Sequence, residues 1–343
     1  MKIFKVGILG LHMGSGWAEG VARRKDAQLT VVFDPDQEQN RKIAEQYKSR
    51  PAASEAAFFD TDLDIVIVAT PDHLHVPQSV HALSLGRHVI CEKPMAATVK
   101  DCQVINATVR RHKKYFMIGQ VCRFTPAFRV AKKLIGEERI GDIAFIESEY
   151  YHDYSNVGGV NGWRKDPKIR REGFIGGGCH ALDLIRWLAG DPEEVFCYMN
   201  HKYLTDWPTK DSGVAVMKFN SGAIGKVFVS IGVKAGYSMR TVIHGTKGSI
   251  VCNNTSPTMD LFDEDYRQIA RANPWKIPVK VNNHNVSDEF AEFVDCLKAG
   301  RHPPTDEYEG TNTVAFGAAC LKSARTGKPE RVQHIVRKQG EQK

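Results

Sequence analysis

The sequence predicts an α/β protein in which a doubly wound parallel sheet is followed by an α+β domain with an open, mostly antiparallel sheet. Strand-like and helix-like segments alternate through the first third of the chain, as is typical of parallel sheets with right-handed helical crossovers. The apolar run Ile65–Ala69 shows no polar alternation, as expected for a strand buried on both faces. After about residue 122, strand-like runs follow one another across short glycine-containing turns. Such turns favour antiparallel pairing.

The elements follow in chain order. The predicted strands of the first part are Lys5–Leu9, Leu29–Phe33, Ile65–Ala69, His88–Cys91 and Phe116–Gly119. The predicted helices among them are Trp17–Arg24, Asp36–Tyr47, Pro77–Leu85 and Val99–Arg111. The predicted strands of the second part are Ile143–Tyr151, Val195–Asn200, Gly213–Phe219, Ala223–Ile231, Arg240–His244 and Ser249–Cys252. The helices there are Pro126–Ile135, His180–Ala189, Ser287–Ala299 and Gly310–Thr326. We therefore predict two domains, residues 1–122 and residues 123–343.

Composition excludes several classes of protein. The 343 residues are 42% hydrophobic and 25% charged, which excludes disordered and coiled-coil proteins. The net charge of +7 comes from scattered basic residues, so we expect no nucleic-acid partner. No apolar run approaches the length of a membrane span. The first ten residues read as a strand and not as a signal peptide, so we expect a cytoplasmic protein whose eight cysteines are reduced and mostly buried.

A glycine-rich turn follows the first strand. Gly10-Leu11-His12-Met13-Gly14-Ser15-Gly16 lies between a predicted strand and a predicted helix. In this setting backbone N–H groups and the helix dipole hold a pyrophosphate, as in Rossmann dinucleotide-binding domains. The match to the pattern G-x-G-x-x-G is imperfect, because His12 stands at the second glycine position and Ser15 at the third. Taken alone, the run is also compatible with a plain tight turn.

Asp34 strengthens the prediction of a dinucleotide site. It ends the second predicted strand, 24 residues after Gly10, where an acidic side chain accepts hydrogen bonds from the adenosine ribose. Its charge would repel a 2′-phosphate, and the nearest following arginine is Arg41. We therefore expect NAD in preference to NADP. The alternative role of Asp34 is a helix N-cap with Pro35 as the first helical residue.

Two further motifs reveal a family resemblance. The chain carries Ala69-Thr70-Pro71-Asp72-His73-Leu74-His75 after the third strand and Cys91-Glu92-Lys93-Pro94 after the fourth. Together they resemble the glucose–fructose oxidoreductase and inositol dehydrogenase family, Gfo/Idh/MocA. The resemblance implies a two-domain enzyme with its active site in the cleft between the domains, and hydride exchange between NAD and a sugar, inositol or related polyol. The cofactor-binding residues predicted here are Gly10, His12, Met13, Gly14, Asp34, Ala69, Thr70, Pro71, His75, Glu92 and Lys93.

Lys93 is the predicted acid/base catalyst. The resemblance implies that this lysine touches the reacting hydroxyl and that the following peptide bond is often cis. Oxidation of an alcohol needs the O–H proton to be removed as the hydride leaves. A lysine can take it when desolvation or a nearby positive charge lowers its pKa. Glu92 would position the ribose or the lysine; without the family resemblance, Glu92 and Lys93 would be read as a surface ion pair.

The second half supplies His180 as the assisting group. Relatives often carry the pattern D-x-G-x-H, and alignment on His180 places Gly178 on the glycine and Gly176 where the aspartate would stand. A carboxylate that would orient the substrate is therefore missing. Asp183 lies one helical turn after His180, where it would orient the imidazole or reach the substrate; capping or a local salt bridge is an equal alternative.

Three more residues are predicted to bind substrate. Arg123 follows the fifth strand, and the resemblance places it near the nicotinamide or the substrate. Trp163 and Arg164 lie in a polar, glycine-rich stretch, where the indole would cover a sugar ring and the guanidinium would bind its hydroxyls. Trp163 is equally well explained by packing. The aromatic run from Tyr150 to Tyr154 receives no role.

Alternatives remain open. His73 and His75, with Asp72, form no zinc-type cluster with a third ligand group, so we expect no metal. The leading function is hydride transfer between NAD(H) and a sugar or polyol. A sugar lyase or glycosidase that oxidises its substrate transiently is a second possibility, and a non-catalytic sugar or dinucleotide sensor is a third. By resemblance we expect a homodimer or homotetramer formed through the C-terminal sheet.

Overall fold

The computed structural model describes residues 2–263 and 273–337, which divide into two compact units. The first unit comprises residues 2–120, 286–312 and 335–337. The second comprises residues 121–263, 273–285 and 313–334. The first boundary lies two residues from the predicted one, but the chain returns to the first unit after residue 285. The physical reason is packing: Gly16 and Gly20 leave room for Val286 and Ser287 against the first helix.

The first unit contains a six-stranded parallel sheet with strand order β3-β2-β1-β4-β5-β6. Its strands are β1 (Phe4–Leu9), β2 (Ala27–Phe33), β3 (Arg50–Pro51), β4 (Ile65–Val68), β5 (His88–Cys91) and β6 (Phe116–Ile118). All four residues of β4 are buried, as the uninterrupted apolar run predicts. Because β1, β4 and β5 are neighbours and parallel, the loops that follow them lie along one edge of the sheet.

Helices connect these strands. The helices of this part of the chain are α1 (Gly14–Ala22), α2 (Gln37–Gln46), α3 (Glu55–Phe59), α4 (His75–Ser84) and α5 (Val99–His112). The unit also contains α9 (Val286–Ala299) and the first residues of α10 (Glu307–Thr326). Helix α5 begins where Thr98 caps the backbone N–H of Asp101, the local pattern that starts helices. No helix in the described residues is both long and apolar enough to cross a bilayer.

The second unit contains a nine-stranded mixed sheet with strand order β14-β13-β12-β11-β7-β10-β9-β8-β15. Its strands are β7 (Ile143–Tyr151), β8 (Pro192–Asn200), β9 (Ser212–Phe219), β10 (Ile224–Ser230), β11 (Ser238–Gly245), β12 (Ser249–Asn253), β13 (Thr258–Phe262), β14 (Trp275–Pro278) and β15 (Glu330–Arg331). Strands β7 and β10 pair in parallel and every other described pair of this sheet is antiparallel. The structure thus confirms the predicted fold class.

One face of this sheet is covered by helices. The helices of the second unit are α6 (Pro126–Gly136), α7 (Gly173–Gly176), α8 (Cys179–Ala189) and the later part of α10. Gly213 of β9 allows close approach to Phe174 of α7, and Gly178 lies against Val229 of β10. The opposite face carries side chains that are exposed in this chain, among them Val216 and Ile224.

All eight cysteines lie within the described residues, are buried and carry free thiols. They are distributed over strands, helices and loops of both units. Each therefore occupies a core position, in keeping with the expectation of reduced, buried thiols.

Candidate functional site

The turn after β1 requires a glycine at position 10. Gly10 has a φ of +83°, and a Cβ atom there would lie 2.6 Å from the backbone oxygen of Ala69 and 2.8 Å from the backbone nitrogen of Thr70. A Cβ at Gly14 would lie 2.9 Å from Cγ2 of Ile8, so this glycine lets α1 pack closely on β1. His12 lies between them with its side chain exposed. The two structural glycines of this turn are therefore four residues apart, which explains the imperfect match to the usual pattern.

Asp34 supports the same turn. Its Oδ2 accepts a hydrogen bond from the backbone N–H of Leu11 (2.8 Å), and its Oδ1 accepts one from the backbone N–H of Asp36 (2.9 Å). The alternative role as a helix cap is wrong, because Asp36 is the residue that caps α2. A carboxylate oxygen has two lone pairs. Asp34 therefore retains acceptor capacity for ribose hydroxyls beside the glycine turn.

His75 joins the loops that follow β4 and β5. Its Nε2 lies 2.8 Å from the carbonyl oxygen of Thr70, and its Nδ1 lies 2.8 Å from that of Pro94. Carbonyl oxygens only accept, so both ring nitrogens must donate, and only the imidazolium has two N–H groups. Burial lowers the pKa of His75, but Cys91, Asp72 and the Pro94 carbonyl raise it more, to about 10. The ring is fully buried and acts as a charged bridge between the two loops.

Glu92 joins the loop after β5 to helix α1. Its Oε1 accepts a hydrogen bond from Nε1 of Trp17 (2.9 Å), and its Oε2 accepts one from the backbone N–H of Lys93 (3.2 Å). Glu92 and Trp17 are buried, which differs from the surface ion pair that a reading without the family resemblance would give. Glu92 therefore holds the lysine backbone against the helix that starts at the glycine turn.

Lys93 is half-buried, and the peptide bond between Lys93 and Pro94 is cis. Its ammonium makes no ion pair or hydrogen bond with any residue in 2–263 or 273–337. The flanking residues are fixed on both sides, by Glu92 and by the His75 bridge to Pro94. The backbone of Lys93 is thus held in place at the sheet edge that also carries Gly10, whereas none of the described residues holds its ammonium.

These features fit a dinucleotide. The glycine turn, the start of α1 and Asp34 form the arrangement that binds a pyrophosphate and a ribose in doubly wound sheets. The Ala69–Thr70 backbone is in close approach to Gly10. Pro71 continues that loop and precedes the single turn Asp72–Leu74. Exposed Met13 lies just before α1.

In the second unit, His180 belongs to an aromatic cluster. It is the second residue of α8 and is buried. Its ring centroid lies 6.1 Å from that of Tyr150, whose hydroxyl is 2.8 Å from the hydroxyl of Tyr154. Burial, with the neighbouring Tyr154, raises the pKa of Tyr150 well above its usual value. Tyr150 is therefore a neutral hydroxyl beside the imidazole.

Arg123 and Asp183 bind each other. Nε and Nη2 of Arg123 each lie 2.7 Å from a carboxylate oxygen of Asp183, and the hydroxyl of Thr313 donates to the same carboxylate at 3.1 Å. Asp183 is fully buried. Asp183 thus forms a salt bridge, but with a partner 60 residues away in sequence and not with a local one as the alternative had it. Substrate contact by either side chain stays a prediction.

Trp163 and Arg164 lie in an irregular turn. Asn161 and Gly162 adopt left-handed backbone conformations within Val160–Lys165. The Trp163 ring lies 5.3 Å from the guanidinium carbon of Arg164 and 5.3 Å from that of Arg171. Both predicted residues therefore stand together in a stack of arginine and indole.

Sequence reasoning missed two residues of these groups: Tyr150, which lies beside His180, and Arg171, which lies beside Trp163. Tyr150 lies in an aromatic run whose only signal is strand alternation. Alternation predicts which side chains are buried, but it does not show which of the buried side chains belong to a functional site. Arg171 lies in no recognisable motif, because its place depends on packing against Trp163.

Among the described residues, no group of three or more His, Cys, Asp or Glu side chains could hold a metal ion. His75 is engaged by two carbonyl groups, and Asp72 contributes to its charge. The contacts of His75 are thus those of a residue that holds loop structure.

Two models of protein families match the chain. The model described as "Oxidoreductase family, NAD-binding Rossmann fold" matches residues 4–120. The model described as "GFO/IDH/MocA C-terminal domain" matches residues 128–251. The first match covers the parallel sheet, and the second covers most of the mixed sheet.

Individual proteins are also similar to this chain. A levoglucosan dehydrogenase of Pseudarthrobacter phenanthrenivorans is 29% identical over 220 residues, which cover 57% of this chain and 56% of that protein. An inositol 2-dehydrogenase of Salmonella typhimurium is 28% identical over 278 residues, 80% of this chain and 79% of that protein. The solved structure of a levoglucosan dehydrogenase in complex with NADH has a TM-score of 0.89, at 22% identity, and covers 97% of this chain and 100% of its own. This last match establishes the fold.

Proposed function

Because the chain belongs to the Gfo/Idh/MocA family of oxidoreductases with an NAD-binding Rossmann fold, we propose that it oxidises a hydroxyl carbon of a sugar, inositol or related polyol. The family assignment confirms the predicted family, the predicted oxidoreductase class and the predicted cofactor NAD. The substrate class is supported by the relatives, which are named for levoglucosan and inositol.

The position of Lys93 is the observation that carries this proposal. Three buried side chains fix the loops around it: Asp34 holds the glycine turn, His75 joins Thr70 to Pro94, and Glu92 holds the Lys93 backbone. The Lys93 side chain, in contrast, makes no hydrogen bond or ion pair with any of the described residues. A frame of this kind suits a group that must move a proton at a defined place.

The roles of the side chains follow from their chemistry. Bound NAD would supply the hydride acceptor. Lys93 in its neutral form takes the proton from the substrate hydroxyl as the C–H bond breaks. His180 assists by donating a hydrogen bond to that oxygen or accepting its proton. We assign Trp163 and Arg164 to recognition of the sugar ring and its hydroxyls.

The test compares Lys93→Met with Lys100→Met, which removes an exposed lysine of the same unit. NADH absorbance is followed with a panel of sugars and inositols. We expect Lys93→Met to lower kcat by about 10²-fold or more, the scale of a lost general base, and Lys100→Met to retain activity. Both variants should unfold at the wild-type urea concentration, because the side chain of Lys93 makes no hydrogen bond or ion pair with the described residues of the frame.

Other outcomes would replace the proposal. Release of an aglycone with bound NAD and no net reduction would identify a lyase or glycosidase that oxidises its substrate transiently. Ligand binding without turnover, unchanged by Lys93→Met, would identify a sensor. No turnover of any sugar or polyol with either nicotinamide cofactor would reject the assignment of substrate class.

The exposed face of the nine-stranded sheet supports assembly into a homodimer or homotetramer. Tyr198, Val216 and Ile224 on this face are each more than half exposed, and exposed apolar side chains on adjacent strands favour an interface. We propose a second copy of the chain as the partner. Light scattering should show a species of at least two chains, and Val216→Glu with Ile224→Glu should shift it to a smaller one. A monomeric wild type at micromolar concentration would contradict this.

We also propose that the protein acts in the cytoplasm. Eight buried free thiols suit a reducing compartment, since disulfides are rare there. The prediction is checked by fractionation of the native host.

A further inference from the structure

The backbone at Gly176 is covered by the side chain of Arg171. A Cβ atom at Gly176 would lie 2.2 Å from Cζ of Arg171, 2.4 Å from Nη2 and 2.6 Å from Nη1. No side chain can stand at position 176 while the guanidinium is there. Position 176 is where the D-x-G-x-H pattern aligned on His180 calls for an aspartate. Arg171 therefore occupies the space into which that carboxylate would extend, and the charge at this place is reversed.

Arg171 is connected to His180 through close contacts. A Cβ at the next residue, Gly177, would lie 2.9 Å from the Tyr150 hydroxyl oxygen. The ring of Tyr150 in turn lies 6.1 Å from that of His180. The Arg171 guanidinium thus covers Gly176, and Tyr150, which packs beside His180, covers the next glycine in the chain. All these residues lie within the second unit.

The chain segment that carries Arg171 is basic in sequence. Residues 157–172 contain five Lys and Arg residues and two acidic residues. Arg171 is only 7% exposed, and the Trp163 ring has a second guanidinium, that of Arg164, at the same 5.3 Å. Burial raises the pKa of Glu172, the acidic residue next in sequence, although Arg170 opposes this. A buried fork of N–H donors in such a setting favours an anion.

A carboxylate and a guanidinium recognise different substrates. An aspartate accepts hydrogen bonds from the hydroxyls of a neutral sugar, whereas a guanidinium only donates and matches carboxylate or phosphate oxygens in pairs. We propose that the substrate is a carbohydrate that carries an anionic group, and that Arg171 binds this group. The inference rests on the proposed function, since it concerns the same site. It makes Arg171 a specificity-determining residue.

The experiment uses the full-length protein with NAD and three sets of probes. Neutral probes are glucose and myo-inositol, carboxylate probes are glucuronate, galacturonate and gluconate, and the phosphate probe is glucose 6-phosphate. We expect kcat/KM for at least one anionic probe to exceed that of its neutral counterpart by about 10- to 100-fold, the scale of a charge-assisted hydrogen bond. Comparison of the carboxylates with the phosphate identifies which anion is preferred.

Variants then test the residue. Arg171→Met should raise KM for the preferred anion by about 10- to 100-fold with a smaller change in kcat, and Arg171→Lys should recover part of that loss. Lys168→Met, an exposed change in the same segment, is the matched control. The double variant Arg171→Ala with Gly176→Asp places the carboxylate where the pattern has it, and should shift preference towards neutral probes. Urea denaturation of each variant reports whether both units are folded.

Several results would overturn the inference. Neutral probes turned over as well as anionic ones would do so, as would an Arg171→Met variant that loses both classes equally. If no probe reduces NAD, calorimetric titration of the NAD-loaded protein with glucuronate and glucose still decides the matter. Equal or absent binding of the two rejects the role of Arg171. Tighter glucuronate binding that Arg171→Met abolishes supports it, even though the proposed redox function has failed.

Discussion

In the first unit, the polar side chains of the candidate site bind mainly to backbone groups, whereas in the second unit they bind mainly to one another. Asp34 accepts two backbone N–H groups, and His75 bridges two carbonyl oxygens. In the second unit, Arg123 binds the carboxylate of Asp183, and Tyr150 binds the hydroxyl of Tyr154. The first arrangement fixes the path of loops, and the second fixes the positions of side chains.

This difference has consequences for substitution. When a side chain that binds backbone groups is lost, no second substitution can compensate for the loss. Its partner is the backbone, which a substitution does not remove. A side-chain pair can be replaced as a pair. The first unit should therefore vary little around NAD, while the second can change charge, as at Gly176 and Arg171, and with it the substrate.

The largest expected effect comes from the buried ion pair of the second unit. We expect Asp183→Ala to lower the free energy of unfolding by about 3–5 kcal/mol, because it leaves the Arg123 guanidinium buried without its carboxylate. Urea denaturation measures this. The matched control, Lys276→Ala, breaks an exposed pair with Asp260 and should cost less than about 1 kcal/mol.

The pair can also be removed together. Arg123→Met with Asp183→Leu should recover most of the stability lost in Asp183→Ala, because no unpaired charge remains buried. Such recovery would support the comparison between the units. A cost for Asp183→Ala as small as that for Lys276→Ala would contradict the structural role of the pair.

The fold was largely predictable from the sequence. Strands such as His88–Cys91 and Ile143–Tyr151 have the predicted bounds, because apolar runs ended by turns define them locally. The strands β3 and β15 have two residues each and lack any periodicity. Their pairing depends on neighbours that are distant in sequence. The packing of α9 in the first unit could not be predicted from the sequence either, since the hydrophobic pattern of a helix does not indicate which sheet the helix packs on.

The predicted residues of the two units differ in the same way. Motifs led to Asp34, Glu92 and Lys93, because each lies directly after a strand and its partners are nearby loops. Arg171 was missed, since its position depends on packing against Trp163 and on the space that the missing side chain at Gly176 leaves. A sequence shows the absence of an aspartate, but only packing shows what fills the space.

His75 joins two loops of the first unit, so its replacement should lower the stability of the protein. We expect His75→Gln to lower the free energy of unfolding at pH 7 by about 2 kcal/mol. Both N–H groups of glutamine lie on one nitrogen, so they cannot reach the two carbonyl oxygens that the two ring nitrogens of His75 contact, and one carbonyl is left unpaired. His81→Gln, an exposed change on the same helix, should cost less. Thermal or urea denaturation measures both.

The pH dependence of this effect has a definite sign. The pKa of His75 is about 10 in the folded protein, above the ordinary 6.5, so the folded state holds the proton more tightly than the unfolded chain. The stability from protonation is complete below about pH 6.5 and is lost as the pH rises through about 10. The difference between wild type and His75→Gln should therefore shrink from pH 7 to pH 10. A constant difference would show that His75 is neutral.

The smallest expected effect separates the roles of Asp34. Asp34→Ala should weaken NAD binding by about 10-fold, through loss of the hydrogen bond that we predict a ribose hydroxyl donates to this carboxylate. It should weaken NADP binding less, because the repulsion of a 2′-phosphate is lost as well. Fluorescence titration with both dinucleotides measures this. Asp36→Ala removes the cap of α2 and should cost about 1 kcal/mol of stability without changing NAD affinity. If Asp34→Ala weakens both cofactors equally, Asp34 serves the backbone of the turn alone, and the first unit discriminates cofactors by another group.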